Sequence, residues 1–171
     1  MKNIAKVGIA LLILFSVSTI FFYQSCKTDP CKNKVCNHDG TCSGDTCKCA
    51  TGYEGSDCST ISRDKFIKAW TVMSSSCLTT TPFPSWTVTA STDTSSDRQL
   101  KFSNFSNFPC GAGAIVVSCT ITSVNTFIID NQTACGITFS GSGVLSGTQL
   151  VVSYTYNSTT FGSGTCTETW N

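Results

Sequence analysis

Twelve of the 171 residues are cysteines, and thiols can ligate metals, act as nucleophiles or pair as disulfides. Six of them fall between Cys31 and Cys58, in a polar stretch that also holds the one histidine, His38. This cluster has zinc-ligating residue types, but Cys47 and Cys49 are closer together than the ligands of a zinc knuckle. Because so short a segment buries too little apolar surface to fold alone, we expect disulfides and no metal, with His38 a solvated turn residue.

The N-terminus indicates an oxidising compartment, in which disulfides persist. Lys2 and Lys6 precede an uncharged apolar run, residues 7–23, a pattern typical of a secretory signal peptide. At about 17 residues the run is just long enough to span a membrane, so an uncleaved anchor is the alternative. We predict a signal peptide over residues 1–25 and export of the chain.

The junction FFYQSC resembles a bacterial lipobox, with small Ser25 before Cys26 and Tyr23 where a leucine is usual. The resemblance implies that Cys26 is acylated and that residues 26–30 tether the chain to the outer membrane or cell surface, since buried acyl chains anchor a protein durably. An ordinary half-cystine or a free thiol at Cys26 is the alternative.

The charge content argues against partners recognised by electrostatics. The net charge is +1 and only 12% of the residues are charged. Nucleic-acid binding needs a basic patch, which this composition does not supply. We therefore predict no nucleic-acid partner, and contact with a membrane only through the lipid anchor.

The spacing of the six clustered cysteines resembles that of an epidermal-growth-factor-like (EGF-like) module. The stretch CKCATGYEGSDC, with Gly52 and Tyr53, matches the C-terminal half of that family's signature, and HDGTC is similar to the turn before its third cysteine. Spacing alone does not choose a pairing. The resemblance implies the pairs Cys31–Cys42, Cys36–Cys47 and Cys49–Cys58, and a module over residues 31–58 that acts as a spacer or a protein-contact surface.

Calcium-binding members of that family carry an acidic pair and a glutamate before the first cysteine. Here the segment is KTDPC, in which Asp29 stands alone and Pro30 follows it. We therefore expect no bound calcium.

Residues 59–65 (STISRDK) are polar and free of cysteine, and predict a linker. From residue 66 to 171 Ser and Thr abound, and apolar residues alternate with them at period two, which predicts half-buried strands. The strands are expected at residues 68–74, 85–91, 99–105, 114–122, 126–130, 136–141, 149–157 and 164–170. Short, evenly spaced strands favour an all-β antiparallel barrel or sandwich, so the chain as a whole is predicted to be mainly β.

The first strand contains FIKAW, which loosely resembles the opening of lipocalin-like and wider calycin barrels. Those barrels begin with a Gly-x-Trp element. Trp70 matches its tryptophan, while Lys68 stands in the place of the glycine. The resemblance implies a closed barrel, and a plain β-sandwich is the alternative.

Five cysteines remain in this domain. Cys110 and Cys135 flank a predicted hairpin and should face each other at its open end. Cys77 ends the first strand and Cys166 lies in the last, so a bridge between them would staple a closed barrel. Cys119, on the apolar face of its strand, is then expected to be a buried free thiol.

No catalytic set is evident in this domain, which has no histidine. Asp93 and Asp97 fall in a predicted hairpin loop and are expected to be solvated turn residues. Glu168 alternates with Cys166 and Trp170 along its strand. We expect the strand end to fray and solvate Glu168. If Glu168 instead points inward, it would orient a ligand.

Such a ligand would contact aromatic residues of the barrel interior, named here as Trp70, Trp86, Tyr154 and Tyr156. The sequence therefore predicts no enzyme and no cofactor. It predicts an exported, lipid-anchored surface protein that binds or adheres to protein or glycan through loops of the β-domain. A calycin-like carrier of a small apolar ligand is the alternative.

Overall fold

The computed structural model describes residues 29–77, 83–111 and 113–171, and most of them are in β-strands. The predicted signal peptide and Cys26 lie outside the described residues. Four short strands come first: β1 (Thr41–Ser43), β2 (Thr46–Lys48), β3 (Tyr53–Glu54) and β4 (Thr60–Ile61). The longer strands are β5 (Ala69–Ser75), β6 (Trp86–Thr92), β7 (Gln99–Ser103), β8 (Val116–Ser123), β9 (Thr126–Ala134), β10 (Ile137–Ser146), β11 (Gln149–Ser158) and β12 (Gly162–Trp170).

Strands β5 to β12 form one closed antiparallel barrel in meander order. Each strand pairs with its successor in the chain, and β12 returns to pair with β5, where Glu168 lies opposite Ser75. The predicted mainly β fold and the barrel are confirmed, and the sandwich alternative is wrong. The barrel closes because every strand has one apolar face, and curling the sheet buries all of these faces together.

Side chains from all eight strands fill the interior. Burial alternates along β6 as far as Ser91 and along β11, as the period-two pattern predicts. The phenyl ring of Phe127 packs directly on Gly143 of β10, and a Cβ on Gly143 would collide with that ring. Cys119 is a buried free thiol, as predicted, and burial raises the pKa of that thiol well above its usual value.

The two ends of the barrel differ. At the closed end, a 3-10 helix (Ser62–Phe66) precedes β5, and the Trp70 indole Nε1 donates to the Phe66 carbonyl at 2.9 Å. The buried Phe66 ring meets Phe127 edge-on, with centroids 5.6 Å apart. At the loop end, the connections between barrel strands are residues 76–85, 104–115, 135–136 and 159–161.

Residues 31–58, the cysteine module, are held by three disulfides around the β1–β2 hairpin, and β3 pairs with β4 just beyond the module. Their pairs are Cys31–Cys42, Cys36–Cys47 and Cys49–Cys58, the same pairs that the resemblance implies. His38 is an exposed turn residue, as predicted. Its Nδ1 lies 2.9 Å from the Cys58 carbonyl oxygen, and its ring stacks on Tyr53 at 4.1 Å.

The module packs against the closed end of the barrel. Residues 59–65, for which the sequence predicts a linker, include β4, paired with β3 of the module, and most of the 3-10 helix. The Tyr53 hydroxyl donates to the Asp97 carboxylate at 3.0 Å. A Cβ on Gly52, whose φ is 100°, would lie 2.6 Å from the Arg98 side chain, so glycine permits this close approach.

Arg63 fixes the loop between β6 and β7 at this junction. Its side chain is about nine-tenths buried, and Nη1 donates to three backbone carbonyls, two in the loop and one at the start of β7. The acceptors are Asp93 at 3.2 Å, Ser96 at 2.8 Å and Gln99 at 3.2 Å. The loop that the sequence assigns to solvent therefore anchors the junction.

Candidate functional site: the barrel interior and the loop end

The residues predicted to line a ligand site do not form one wall. Tyr154 and Glu168 lie together in the interior. Trp70 is fully buried at the closed end, with the Lys68 ammonium 3.8 Å from its ring centroid. Trp86 begins β6 at the loop end, where its indole nitrogen has no hydrogen-bond partner among the described residues.

Glu168 points into the barrel from β12. Its side chain is 1% exposed, and the neighbouring inward residues Cys166 and Trp170 are fully buried. The expectation that this strand end frays and solvates Glu168 is wrong. The strand stays paired to its last residue, since Trp170 lies opposite Leu150 on β11 and Val72 on β5, and the Trp170 indole fills the interior.

Three donors surround the Glu168 carboxyl group. The Tyr154 hydroxyl donates to Oε1 at 2.7 Å, and the Trp170 indole donates to Oε2 at 2.9 Å. The Ser75 hydroxyl lies 3.4 Å from Oε1. No salt bridge reaches Glu168 from the residues the structure describes, so neutral donors alone compensate its burial.

Burial raises the pKa of Glu168 above its usual value, although the three hydrogen bonds favour the ionised form. Burial also raises the pKa of Tyr154, and the Glu168 charge adds to that shift. The neutral carboxyl can donate to Tyr154. The buried Ser106 hydroxyl has no hydrogen-bond partner among the described residues. The Glu168 carboxyl and the Tyr154 hydroxyl can together hold a proton or orient a hydrogen-bond donor.

Aromatic side chains pack around this polar group and fill the interior. Phe105 contacts Tyr154 at 4.8 Å and Trp170 at 5.9 Å between ring centroids. Phe102 meets Trp170 edge-on at 5.3 Å and Phe127 at 5.2 Å. The buried side chains form a single cluster through the barrel, so the described interior is packed by the protein itself.

Phe105 enters the barrel from the loop end on a constrained backbone. The segment Asn104–Asn107, here called the plug segment, includes Asn104, Ser106 and Asn107 with φ of 60°, 63° and 50°. Left-handed residues other than glycine are uncommon, although asparagine tolerates this region best. The segment therefore turns sharply enough to bury both Phe105 and Ser106.

Beyond the plug segment lies a surface depression, here called the aromatic cleft. Its volume is about 490 Å³, and Phe161, at 38% exposed, is its aromatic wall. Phe161 packs on Phe108 at 5.4 Å, and Phe108 packs on Tyr156 at 4.9 Å. The remaining lining is Pro109, Cys110, Gly111, Gly113, Cys135 and Thr160.

Two disulfides hold the loop end. Cys110–Cys135 ties the β7–β8 connection to the β9–β10 turn, and Cys77–Cys166 ties the end of β5 to β12. Both are the pairs that the sequence predicts. The lining of the aromatic cleft includes the first of them, so its floor is covalently fixed.

A second depression, of about 450 Å³, lies at the closed end. Lys65, Lys68, Asn125 and Thr148 contribute its polar lining. Lys65 is paired with Glu54 of the module at 2.7 Å, which neutralises one of the two cations.

No cluster of three or more His, Cys, Asp or Glu residues suited to a metal ion occurs within residues 29–77, 83–111 and 113–171. Over the same residues, none of the helices is long and apolar enough to cross a membrane.

Sequence reasoning missed the residues that shape the loop end, namely Phe105, Phe108 and Phe161. A signal was present, because SNFSNFPC repeats Ser-Asn-Phe immediately before a proline and a cysteine. Asparagine is among the residues most often found in the left-handed region, so two asparagines in this repeat indicate a sharp turn. Arg63 was also missed, since a single basic residue in a polar segment is usually solvated.

Comparison of the chain with family models, with curated proteins and with solved structures finds no match.

Proposed function

We propose that the chain is an exported protein, lipid-anchored at Cys26, that binds a partner at the loop end of its barrel without catalysing a reaction. The distribution of charge carries this proposal. From residue 102 to 171 the sequence has only two charged residues, Asp130 and Glu168, and Glu168 is buried. Asp130 accepts a hydrogen bond from Thr120 at 2.7 Å.

The other charged side chains that the structure describes are concentrated in the cysteine module and at the closed end, where Lys65 pairs with Glu54 and Arg63 lies near Asp97. The four connections of the loop end contain no Asp, Glu, Lys or Arg. A partner of this surface is selected by shape, hydroxyl groups and aromatic contact, which suits glycan or protein. The proposed role is therefore recognition or adhesion.

The architecture supports presentation of the loop end to a partner. The chain enters the cysteine module at Cys31, and the module packs on the opposite end of the barrel through Tyr53 and Arg63. A lipid anchor before the module would thus hold the closed end near the membrane. The module, proposed to be EGF-like, would act as the spacer, and the disulfides at the loop end preorganise its connections for binding.

The anchor is tested by the intact mass of the native protein. We expect loss of residues 1–25, added acyl chains on Cys26 and five disulfides. A chain that keeps residues 1–25, or whose Cys26 is unmodified, contradicts the anchoring.

Binding at the loop end is tested with two arginine variants of the full chain, probed on arrays of extracellular proteins and glycans. Gly113→Arg adds bulk and charge in the aromatic cleft, and a Cβ there meets no atom within 4 Å. Val144→Arg places the same side chain on the barrel wall, at a residue 49% exposed. We expect Gly113→Arg alone to lose the binding shown by the parent chain. Binding that both variants keep contradicts the proposal.

A calycin-like carrier of an apolar ligand is compatible with the barrel fold. The packed interior favours surface recognition over it, since Phe105 and Trp170 occupy the space that a ligand would need. Titration with a hydrophobic fluorophore separates the two roles. A saturable signal that Phe161→Ala leaves unchanged would favour the carrier.

A further inference from the structure

We propose that the aromatic cleft is a subsite for one neutral sugar ring of a glycan, stacked on Phe161. The inference rests on the proposed function and deepens it, because it names the chemical class of partner and the residue that recognises it.

The aromatic wall is supported from below. Phe161 is 38% exposed, and its ring is braced by Phe108, which is braced in turn by Tyr156. Tyr156 lies flat across Gly164, where a Cβ would be 2.9 Å from the tyrosine hydroxyl oxygen. Glycine at this position of β12 therefore makes room for the lowest ring. A ring held in this way loses little conformational freedom when it binds a ligand.

The rest of the cleft supplies polar groups without bulk. Gly111 and Gly113 add no side chain to the cleft, and a Cβ on either would meet no atom within 4 Å. The Gly113 amide donates to the Cys110 carbonyl at 2.8 Å, so the carbonyl groups of the two glycines are the backbone groups that face a ligand. Thr160 adds a hydroxyl beside Phe161. The volume of about 490 Å³ is within the range of small-ligand sites.

These features match a sugar ring more closely than other ligands. A pyranose has an apolar face of C–H groups, which packs on an aromatic ring, and an edge of hydroxyls, which bond to backbone groups and to Thr160. The connections around the cleft contain no charged residue, so nothing there compensates a phosphate, sulfate or carboxylate. A neutral saccharide is complementary to this surface, and an acidic one is not.

The test is ligand-observed NMR of the full chain with oligosaccharides of glucose, galactose, mannose, xylose and N-acetylglucosamine, and with sialylated and sulfated oligosaccharides. We expect saturation transfer to the C–H face of at least one neutral oligosaccharide, and at least about tenfold weaker binding of acidic ones. Phe161→Ala should weaken that binding by about tenfold, while Phe161→Tyr retains it. Ile128→Ala is the matched control, an apolar residue 42% exposed on the barrel wall.

Absence of saturation transfer from every neutral oligosaccharide at millimolar concentration overturns the sugar subsite. So does binding that Phe161→Ala leaves unchanged. If the arrays instead reveal a protein partner whose binding is lost in Gly113→Arg, the proposed function stands and the sugar subsite falls. If nothing binds at the loop end in either experiment, both fall.

Discussion

The cysteine module and the barrel are stabilised by different physics. Within the module, Cys58 is the only apolar residue that is buried, and three disulfides take the place of a core. In the barrel, a continuous cluster of aromatic and aliphatic side chains fills the interior, and its two disulfides lie at one end. The two regions should therefore fail under different conditions, although Arg63 and Tyr53 join them.

The largest expected effect is unfolding of the cysteine module when its disulfides are reduced. Each disulfide of a small domain contributes about 2 to 4 kcal/mol, and the module has little else to hold it. With a phosphine reductant we expect amide NMR signals of residues 31–58 to collapse to unfolded positions while those of β7 to β11 persist.

A Cys77→Ala/Cys166→Ala variant is the control for this experiment, since it removes a barrel disulfide and should leave the module signals in place. Module signals that survive full reduction would show that the module has a second source of stability.

The barrel should instead be sensitive to loss of core volume. Phe127→Ala removes a ring that contacts Phe66 and Phe102, and Gly143 offers no side chain to refill the space. We expect the free energy of unfolding to fall by about 4 kcal/mol, as measured by urea denaturation with tryptophan fluorescence. Ile128→Ala, at the next and outward residue, should change it by less than about 0.5 kcal/mol. A small loss for Phe127→Ala would mean that the core is loosely packed.

The junction tests whether the two regions are independent. Arg63→Met would leave the carbonyls of Asp93, Ser96 and Gln99 without their charged donor, so we expect a loss of about 3 kcal/mol. Faster amide exchange in β3 and β4 should accompany it. Lys101→Met removes the ion pair between a 45% exposed lysine of β7 and Asp93 of the same loop, and should have little effect. Equal effects of the two substitutions would contradict the anchoring role of Arg63.

The smallest effect concerns pH. Because the folded pKa of Glu168 is raised, the folded state binds more protons than the unfolded state between the unfolded pKa, about 4.3, and the folded one. This group therefore lowers stability as pH rises through that window. Glu168→Gln should abolish the part of the pH-dependent loss of unfolding free energy that Glu168 causes. From pH 4 to neutral pH, the variant should therefore lose less stability than the parent chain. Urea denaturation of both chains from pH 4 to 8 measures the difference, and parallel pH profiles would refute the assignment.

The sequence predicted the barrel well because apolar residues at period two are a local pattern, and in a folded strand they all lie on the buried face. All eight strands and the inward residues of β8 and β11 follow it. It failed at Glu168, where charge argued for solvent while Tyr154, Trp170 and Ser75 supplied donors from three strands. The aromatic cleft could not be predicted from the sequence either, because Phe108, Tyr156 and Phe161 come into contact only when the strands have paired in register.

The pairing of β5 with β12 is the one neighbour relationship in the barrel that joins strands far apart in the chain. Cys77 and Cys166, 89 residues apart, secure the same seam. Because a ribosome makes the N-terminus first, β5 exists before β12, and the edge of β5 stays open until the last strand has been made. That open edge can pair with other chains, and only the arrival of the final strand removes it.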